Sequence, residues 1–565
     1  MFNFAANLIT IMKPIIYQLI PRLFTNYNET RLRNGSREQN GCGTMKAITP
    51  KALKAIYDLG ATHVWYTGII RHATEEYNNP SITKGRAGSP YAITDYYDVD
   101  PDIAEDKPKR MAEFEALIER THKAGLKVVI DFVPNHVSRE YHSLCKPRGV
   151  KDLGQGDHPE WAFSPLNNFY YLPGQAFVSP EQTADGERAY HEFPARATGN
   201  DCFTATPSKD DWYETVKLNY GVFYQGGGEK QFNPRPKTWN QMTAILLFWV
   251  KKGVDAFRVD MAEMVPHEFW SYAIGKVKHA HPEVQFLAEC YNPTLYRTYL
   301  AAGFDYLYDK VGMYEYLRGV TSKNWAVEGI TQHWMATDDI RDKMLYFLEN
   351  HDEQRIASGF FCGRGICAEP AMIVAACLGV NPLLIYSGQE LGETGMDAEG
   401  YSGIDGRTTI FDYWGVKSIQ AWANHGKFDG ALMSEEQKNL RQFYRSLMVL
   451  ARDNKAINQG EMYDIEYAQD GSFNKHEQFA FLRHYKATDI FDPEETLLIV
   501  CNFDDREVEI DINIPQETWE YFKTTPPALT SKSHFTDLLT GKKYNSFNHL
   551  TLPAWTGVVL RLSSN

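Results

Sequence analysis

Four short apolar runs in this chain end in polar residues that could perform acid–base chemistry. They read DFVPNH, FRVD, FLAE and FLENHD, and three of them supply the carboxylates Asp260, Glu289 and Asp352. Because the carboxyl ends of parallel strands meet on one side of a sheet or barrel, we expect these carboxylates to line one pocket. The sequence therefore predicts a site that works through carboxylate chemistry.

The residue types in this set fit the cleavage of a glycosidic bond. That reaction needs one carboxylate that attacks the anomeric carbon or stabilises its charge, and one carboxylic acid that protonates the departing oxygen. A third carboxylate raises the proton affinity of the acid through repulsion between like charges. Arg258 precedes Asp260 by two positions, so both side chains point to the same side of a strand and Arg258 would keep Asp260 ionised.

A single polar residue at a strand end is weak evidence for catalysis. A lone Asp is more often a helix cap, a lone His beside a proline is usually structural, and a Glu after a strand can pair with a nearby Lys. Here His136 and His351 occur at the same strand ends as the three carboxylates. The coincidence of four such ends, rather than any one residue, supports a catalytic pocket.

The elements that must position these residues alternate between apolar runs and amphipathic segments. Helical periodicity predicts helices over residues 108–124, 239–251, 266–279 and 434–452. The predicted strands are nearly continuous apolar runs, which is typical of parallel strands covered on both faces. They are Ile15–Ile20, His63–Ile69, Lys127–Val133, Val254–Val259, Gln285–Ala288, Phe304–Leu307, Leu345–Leu348 and Pro382–Ser387. This alternation predicts an α/β fold, a (β/α)8 TIM barrel, with a doubly wound sheet as the alternative.

Two stretches depart from this alternation and predict additional domains. Residues 138–237 follow the third strand and are rich in Gly, Pro, Asn and aromatic residues, which predicts an inserted domain. Short alternating runs such as QFAFLRHY and TLLIVCNF predict a C-terminal antiparallel β-sandwich over residues 455–565. The catalytic barrel would then comprise residues 13–137 and 238–454. The segment GMDAEGYSGIDGRTTIFDYW suits a flap over the pocket, and equally an ordinary packed loop.

The composition excludes several classes of partner. The chain has 565 residues, of which 43% are hydrophobic and 23% charged, as in ordinary globular proteins. Its net charge of −14 argues against nucleic acid and against an anionic membrane surface as partners. The apolar runs are too short to span a membrane. The oligomeric state is left open.

The cysteines and the opening residues favour a cytoplasmic protein. The chain contains 8 cysteines, and several lie inside apolar runs, as Cys377 does in AACLGV. Free, buried thiols in a reducing compartment are the simplest interpretation. The opening residues MFNFAANLITIM lack the basic region, long apolar region and cleavage site of a secretory signal.

The four runs, in their order and spacing, resemble the signature regions of the α-amylase family of glycoside hydrolases, the family 13 type. SPYAITDYYDVDP resembles the family segment after the second strand, and YSGQE resembles the end of the eighth. KLNYG resembles a short motif of the inserted domain. The resemblance implies a (β/α)8 barrel with an inserted domain and a C-terminal β-sandwich, the organisation already predicted from the pattern.

The resemblance also implies a role for each matched residue. Asp260 would be the nucleophile that forms a covalent glycosyl-enzyme, Glu289 the general acid and then the general base, and Asp352 the residue that stabilises the transition state. Four further residues would bind the sugar that is attacked, and they are Tyr91, His136, Arg258 and His351. Asp131 matches a position that supports the strand end, so we expect a structural role for it.

Calcium is a candidate cofactor on the same grounds, and no other cofactor is expected. Asn135 matches a calcium ligand of the family. A hard cation prefers several oxygen ligands, and the unassigned candidates in the chain are Asp152, Asp157 and Asp201.

The sequence departs from the family pattern on the leaving-group side. Many endo-acting members carry a Lys-His pair after FRVD, whereas this chain reads MAEM at residues 261–264. Linkage preference and endo or exo action therefore stay open.

Three functions remain in view. The first is a retaining hydrolase of starch fragments or maltodextrins. The second is an α-glucan transglycosylase or glucosyl isomerase, which would share the covalent intermediate. The third is a sugar-binding or scaffold protein without activity, which should lack at least one of the three carboxylates.

Overall fold

Eight parallel strands form the centre of the protein. The computed structural model describes residues 13–181, 190–395, 400–487, 492–527 and 534–562. The opening segment used above to predict the compartment lies outside these residues. The strands are β1 (Ile15–Leu19), β2 (His63–Tyr66), β3 (Lys127–Phe132), β4 (Ala256–Val259), β5 (Gln285–Ala288), β6 (Tyr306–Tyr308), β7 (Met344–Leu345) and β8 (Leu383–Tyr386).

A helix follows each strand and covers the outside of the sheet. These helices are α1 (Pro50–Leu59), α2 (Arg110–Lys123), α3 (Lys237–Lys251), α4 (His267–Ala280), α5 (Tyr296–Ala301), α6 (Glu315–Thr321), α7 (Glu369–Cys377) and α8 (Glu435–Asp453). Each helix faces the strands with an apolar stripe, as α3 does with Met242, Leu246 and Trp249. A unit of one strand followed by one helix is therefore repeated eight times around the barrel.

The sheet closes on itself. Its order is β7-β6-β5-β4-β3-β2-β1-β8, and a further bridge joins Tyr346, just after β7, to Leu383 in β8. The Tyr346 amide donates to the Pro382 carbonyl at 3.0 Å, and the Leu384 amide donates to the Tyr346 carbonyl at 3.0 Å. The predicted (β/α)8 barrel is therefore confirmed, and the doubly wound alternative is wrong.

The predicted elements differ from the observed ones mainly at their ends. The helix predicted over residues 434–452 begins one residue later, because Ser434 is its cap and forms a capping box with Gln437. The helix predicted over residues 108–124 begins at Arg110, because residues 107–109 form a 3-10 turn instead. The seventh strand is shorter than predicted, since the chain leaves the β6 ladder after Leu345 and bridges to β8.

The chain after β3 leaves the barrel and forms several short two-stranded pairs. His136–Ser138 pairs with Thr215–Lys217, Tyr171–Leu172 with Ala195–Arg196, and Val222–Phe223 with Glu229–Lys230. Leu172, Phe177 and Ala195 belong to a small apolar cluster separate from the main core. The limits of an inserted domain at residues 138 and 237 remain a prediction.

The C-terminal part is antiparallel. Six of its strands make one sheet, which is ordered Glu461–Asp464, Gln478–Tyr485, Glu495–Asn502, Thr556–Arg561, Phe535–Asp537 and Lys543–Tyr544. Val508–Asp511 pairs with His549–Leu552 in a second, two-stranded sheet. Two antiparallel sheets that enclose an apolar cluster agree with the predicted β-sandwich. Helix α7 packs against the first sheet, and its residues from Pro370 to Cys377 are all buried.

Two global features follow from the described residues. All eight cysteines are free thiols, and four of them are buried. None of the described helices combines the length and the apolar composition that crossing a membrane requires.

The outer helix layer should depend strongly on Trp249 in α3. This side chain is 0% exposed and its indole N–H donates to the Tyr96 carbonyl at 2.9 Å. We expect Trp249→Ala to destabilise the protein by about 3–5 kcal/mol and to lower the thermal unfolding midpoint by several degrees. Trp161→Ala, at a position that is 49% exposed, is the matched control and should change the midpoint little. Equal midpoints for the two variants would contradict this account of the packing.

Candidate functional site

The guanidinium of Arg258 lies at the centre of the predicted site. It is fully buried in β4, and its register places it beside Asp131 of β3 and Leu287 of β5. Four carboxylate groups approach it. The N–O distances are 2.8 Å to Asp260, 2.7 Å to Glu289, 3.5 Å to Asp131 and 4.0 Å to Asp352.

Asp260 follows the last residue of β4 and presents its two oxygens differently. Oδ1 accepts a hydrogen bond from Arg258 Nη1 at 2.8 Å. Oδ2 is buried and accepts no hydrogen bond from any described residue. Burial raises the pKa of Asp260 well above its usual range, and the neighbouring Glu289 adds to this, whereas Arg258 opposes it. One oxygen of Asp260 is thus held by Arg258, and the other is buried without a hydrogen-bond donor among the described residues.

Glu289 follows β5 and is held by its neighbours on both oxygens. Oε2 accepts a hydrogen bond from the Met261 amide at 2.8 Å and lies 2.7 Å from Arg258 Nη2. Arg258 Nη2 makes no hydrogen bond of good geometry to a described residue, so this contact is an ion pair. Met261 adopts a left-handed backbone with φ of 42°, which costs energy for a residue with a side chain. That turn directs the Met261 amide at Glu289.

Asp131 supports the same cluster from β3. Its Oδ2 accepts a hydrogen bond from the Trp65 indole at 2.9 Å, and its Oδ1 accepts one from the Tyr91 hydroxyl at 3.3 Å. Burial raises the pKa of Asp131 to about 7, although Arg258 opposes the shift. The side chain is therefore tied to barrel residues, in keeping with the structural role expected for it.

His351 and Tyr91 pack together beside the carboxylate cluster. Their rings stack with centroids 5.3 Å apart, and the Tyr91 hydroxyl contacts His351 Nε2. Gln18, at the end of β1, donates from Nε2 to His351 Nδ1 at 2.8 Å. Nδ1 is thus the acceptor, which leaves the hydrogen on Nε2. Burial lowers the pKa of His351 to about 3, so the ring stays neutral over the ordinary pH range.

Asp352 is the most open of the three predicted carboxylates. Its side chain is 42% exposed and lies 3.1 Å from His351 Nε2. Its amide donates to Asn350 Oδ1 at 2.8 Å, and its carbonyl accepts from Arg407 Nε at 2.6 Å. Arg407 belongs to the segment predicted as a flap. Residues 396–399 of that segment lie outside the described residues, and its remainder contacts the site through this bond.

His136 lies where the chain leaves the barrel after β3. Its ring is 5.2 Å from that of Trp212 and hydrogen-bonds the backbone of Tyr91. Burial lowers its pKa to about 3. The six residues Asp260, Glu289, Asp352, Arg258, His351 and Tyr91 thus form one contact network, and His136 joins it through the Tyr91 backbone.

The surroundings of Asn135 do not fit a calcium ion. Asn135 Oδ1 accepts a hydrogen bond from Lys217 Nζ at 2.7 Å, and its Nδ2 donates to the Gly199 carbonyl at 2.7 Å. Lys217 Nζ also lies 2.5 Å from Asp201 Oδ1. A buried ammonium group therefore occupies the place where oxygen ligands would otherwise converge on a metal. Burial lowers the pKa of Lys217, and Asp201 opposes this.

The other two candidate calcium ligands are also engaged with donors. Asp152 accepts from the Ser143 amide at 2.9 Å, and Asp157 accepts from Lys237 Nζ at 2.6 Å. Neither contacts the Asn135 and Lys217 cluster through any described bond.

Four residues of the site had no place in the sequence prediction. Gln18 and Trp65 lie in β1 and β2. Neither strand ends in a charged residue that would have indicated a catalytic site. Tyr291 follows Glu289 by two positions, and its hydroxyl donates to Glu289 Oε1 at 2.5 Å. Lys217 is the first residue of the KLNYG motif. The position of a lysine inside this motif is the sequence signal from which a role for Lys217 could have been predicted.

The Lys217 cluster predicts that the fold does not depend on a divalent metal at Asn135. We expect EDTA to leave the thermal unfolding midpoint unchanged. Lys217→Met should cost about 1–3 kcal/mol, because it leaves Asn135 Oδ1 buried without a donor, and should lower the midpoint. Lys209→Met, at a side chain that is 66% exposed, is the control. A fall of the midpoint in EDTA, or equal midpoints for the two variants, would contradict the assignment.

Comparison with protein families identifies both parts of the chain. The family model "Alpha amylase, catalytic domain" matches residues 18–456, and the model "Alpha amylase, C-terminal all-beta domain" matches residues 469–563. The first match covers the barrel and the whole carboxylate cluster. The fold is also that of a maltogenic alpha-amylase from Thermotoga neapolitana, with a TM-score of 0.60, 18% identity, and coverage of 98% of this chain and 100% of the other.

Two individual relatives share less than 30% sequence identity with this chain. Maltase 1 of Drosophila virilis is 24% identical over 422 residues, which are 67% of this chain and 58% of the relative. An alpha-1,4-glucan:maltose-1-phosphate maltosyltransferase of Cereibacter sphaeroides is 28% identical over 286 residues, which are 49% of this chain and 38% of the relative. The chain thus spans less than two thirds of the length of these curated relatives. The match to the catalytic-domain family over most of the chain nevertheless shows that this protein belongs to the α-amylase family of glycoside hydrolases.

Proposed function

We propose that the protein is a retaining α-glucan hydrolase that cleaves α-glucosidic bonds of starch fragments or maltodextrins. The observation that carries the proposal is the convergence of Asp260, Glu289 and Asp352 on Arg258. Retaining glycosidases need two carboxyl groups on either side of one bond, one to attack and one to donate a proton. Asp260 and Glu289 contact different nitrogens of one guanidinium. They are therefore close enough for one to attack a glycosidic bond while the other donates a proton to it.

Asp260 is the proposed nucleophile. Arg258 holds Oδ1, while Oδ2 accepts no hydrogen bond from the described residues and can reach an anomeric carbon. Attack by Oδ2 forms the bond to the anomeric carbon as the glycosidic bond breaks, which gives a covalent glycosyl-enzyme. The developing negative charge on the departing sugar oxygen is removed by a proton from Glu289.

Glu289 is the proposed acid and base. After the departing sugar has left, its carboxylate accepts a proton from water, and the oxygen of that water attacks the anomeric carbon and releases Asp260. The electrostatics of the site favour a proton in this cluster before substrate binds. One guanidinium faces four carboxyl groups, and burial raises the pKa of both Asp260 and Asp131. Like charges at such short range oppose full ionisation.

The remaining residues suit a bound sugar. His351 and His136 stay neutral, so they place imidazole rings beside the carboxylates without adding positive charge. Asp352 is exposed toward the pocket and can accept hydrogen bonds from two sugar hydroxyls. Tyr91, held flat against His351, offers a ring face on which a pyranose can stack.

The leaving-group side argues for a substrate preference unlike that of endo-amylases. Glu263 lies in the segment in which those enzymes carry a Lys-His pair. Its Oε2 accepts a hydrogen bond from the Asn292 amide at 3.0 Å, which ties the loops after β4 and β5 together. The Lys-His contact to substrate is therefore replaced by a contact within the protein.

A transferase remains the second candidate function. One relative is named a maltase and another a maltosyltransferase, and both activities would use the same intermediate. They differ only in whether water or a sugar hydroxyl attacks the glycosyl-enzyme. A non-catalytic role is disfavoured because all three carboxylates are present and in contact with Arg258.

Removal of either reacting group should abolish turnover without disturbing the fold. We expect Asp260→Asn and Glu289→Gln to lower kcat on maltodextrins by about 10³-fold or more, because each removes a group that forms or breaks a bond. The circular dichroism spectrum should not change. Glu263→Gln is the control, because it alters a nearby carboxylate outside the Arg258 cluster. Near-normal activity in either of the first two variants would refute the assignment.

Product analysis separates hydrolysis from transfer. Incubation with maltoheptaose should yield glucans shorter than the substrate, with reducing ends that accumulate one for each bond cleaved. Products longer than maltoheptaose, formed without net gain of reducing ends, would instead identify a transglycosylase. Parallel incubations with pullulan and isomaltose report the linkage preference.

A further inference from the structure

The two oxygens of Glu289 lie in different surroundings. Oε2 faces a cation and an amide, since Arg258 Nη2 lies 2.7 Å away and the Met261 amide donates to it at 2.8 Å. Oε1 has one hydrogen-bond partner among the described residues, the hydroxyl of Tyr291 at 2.5 Å. A proton on Oε2 would face both a guanidinium and an amide N–H, whereas Oε1 faces a single hydroxyl, so Oε1 is the oxygen better suited to carry the transferable proton.

Tyr291 is held in place independently of this bond. Its half-buried ring packs against the apolar interior of the barrel, which includes Tyr308, Tyr314 and Phe347. Burial, followed by the charge of Glu289, raises the pKa of Tyr291, so the hydroxyl keeps its hydrogen and donates it. A fixed ring with a fixed donor can therefore direct Oε1.

We propose that Tyr291 is a positioning residue that orients Oε1 of Glu289 and favours its ionised form. This inference rests on the proposed function. When Oε1 has given its proton to the departing sugar oxygen, the Tyr291 hydroxyl donates a hydrogen bond to the resulting carboxylate. That bond stabilises the form of Glu289 that next accepts a proton from water. Tyr291 thus favours release of the Glu289 proton to the departing sugar oxygen in the first half of the reaction, and it makes the carboxylate a weaker base in the second.

Several other charged or titratable groups also surround Glu289, and the Tyr291→Phe substitution alters none of them directly. The charged or titratable groups that interact with Glu289 are Asp131, Arg258, Asp260, Tyr308 and His351. Asp352 acts on Tyr291 itself. None of them bonds to the Tyr291 hydroxyl among the described contacts. A change in the pH dependence of a Tyr291→Phe variant is therefore attributable to the lost hydrogen bond.

The test is the pH profile of kcat/KM on maltotriose for wild type and Tyr291→Phe. A hydrogen bond donated to a carboxylate favours the ionised form, so its loss should keep the acid protonated to higher pH. We expect the alkaline limb of the profile to move upward by about one pH unit. The plateau value should fall less than about tenfold, because the reacting groups remain.

Tyr306→Phe is the matched control. Tyr306 packs against the same barrel interior, but its hydroxyl bonds Gln285 at the opposite end of β5. Its pH profile should coincide with that of wild type. An unmoved alkaline limb in Tyr291→Phe, or an equal movement in Tyr306→Phe, would overturn the inference. If Glu289→Gln retained activity, the proposed function itself would fail, and that result is distinguishable because it does not involve Tyr291.

Discussion

The buried guanidinium of Arg258 is the interaction on which the rest of the site depends. Burying a cation costs several kcal/mol unless anions and hydrogen-bond acceptors surround it. Arg258 meets this requirement with Asp260 and Glu289 at less than 3 Å, and with Tyr308, whose hydroxyl accepts from Nε at 3.2 Å. Because the carboxylates outnumber the guanidinium, they compete for one positive charge. Burial and the nearby negative charge of Glu289 raise the pKa of Asp260, and burial raises that of Asp131.

The barrel supplies this arrangement through strand register. Arg258 pairs with Asp131 on β3 and with Leu287 on β5, so the residues that follow these strands reach the same face. Asp260 and Glu289 each extend one residue beyond the last paired position of their strands. The left-handed turn at Met261 then brings a backbone amide back to Glu289. Local strain at that point is offset by the hydrogen bond from the Met261 amide to the Glu289 carboxyl group.

Much of this arrangement could be predicted from the sequence, and the reasons are physical. Apolar strands that end in Asp260, Glu289 and Asp352 encode both the barrel and the convergence of its carboxylates. The contact of Arg258 with Glu289 could not be predicted, because the sequence spacing relates Arg258 only to its own strand. Lys217 could not be recognised as the partner of Asn135, since the pairing joins residues 82 positions apart. The role suggested for Tyr291 depends on how a loop turns after β5, which no periodicity encodes.

The central claim is that Asp260 attacks the anomeric carbon and forms a covalent intermediate. The most direct measurement is mass spectrometry of the protein after incubation with a slow α-glucosyl fluoride, 5-fluoro-α-glucosyl fluoride, followed by peptide mapping. The account predicts a mass increase of one fluoroglucosyl unit, located on the peptide that contains Asp260 and on that residue. Turnover of the reagent without an adduct, or an adduct on any other residue, would contradict it.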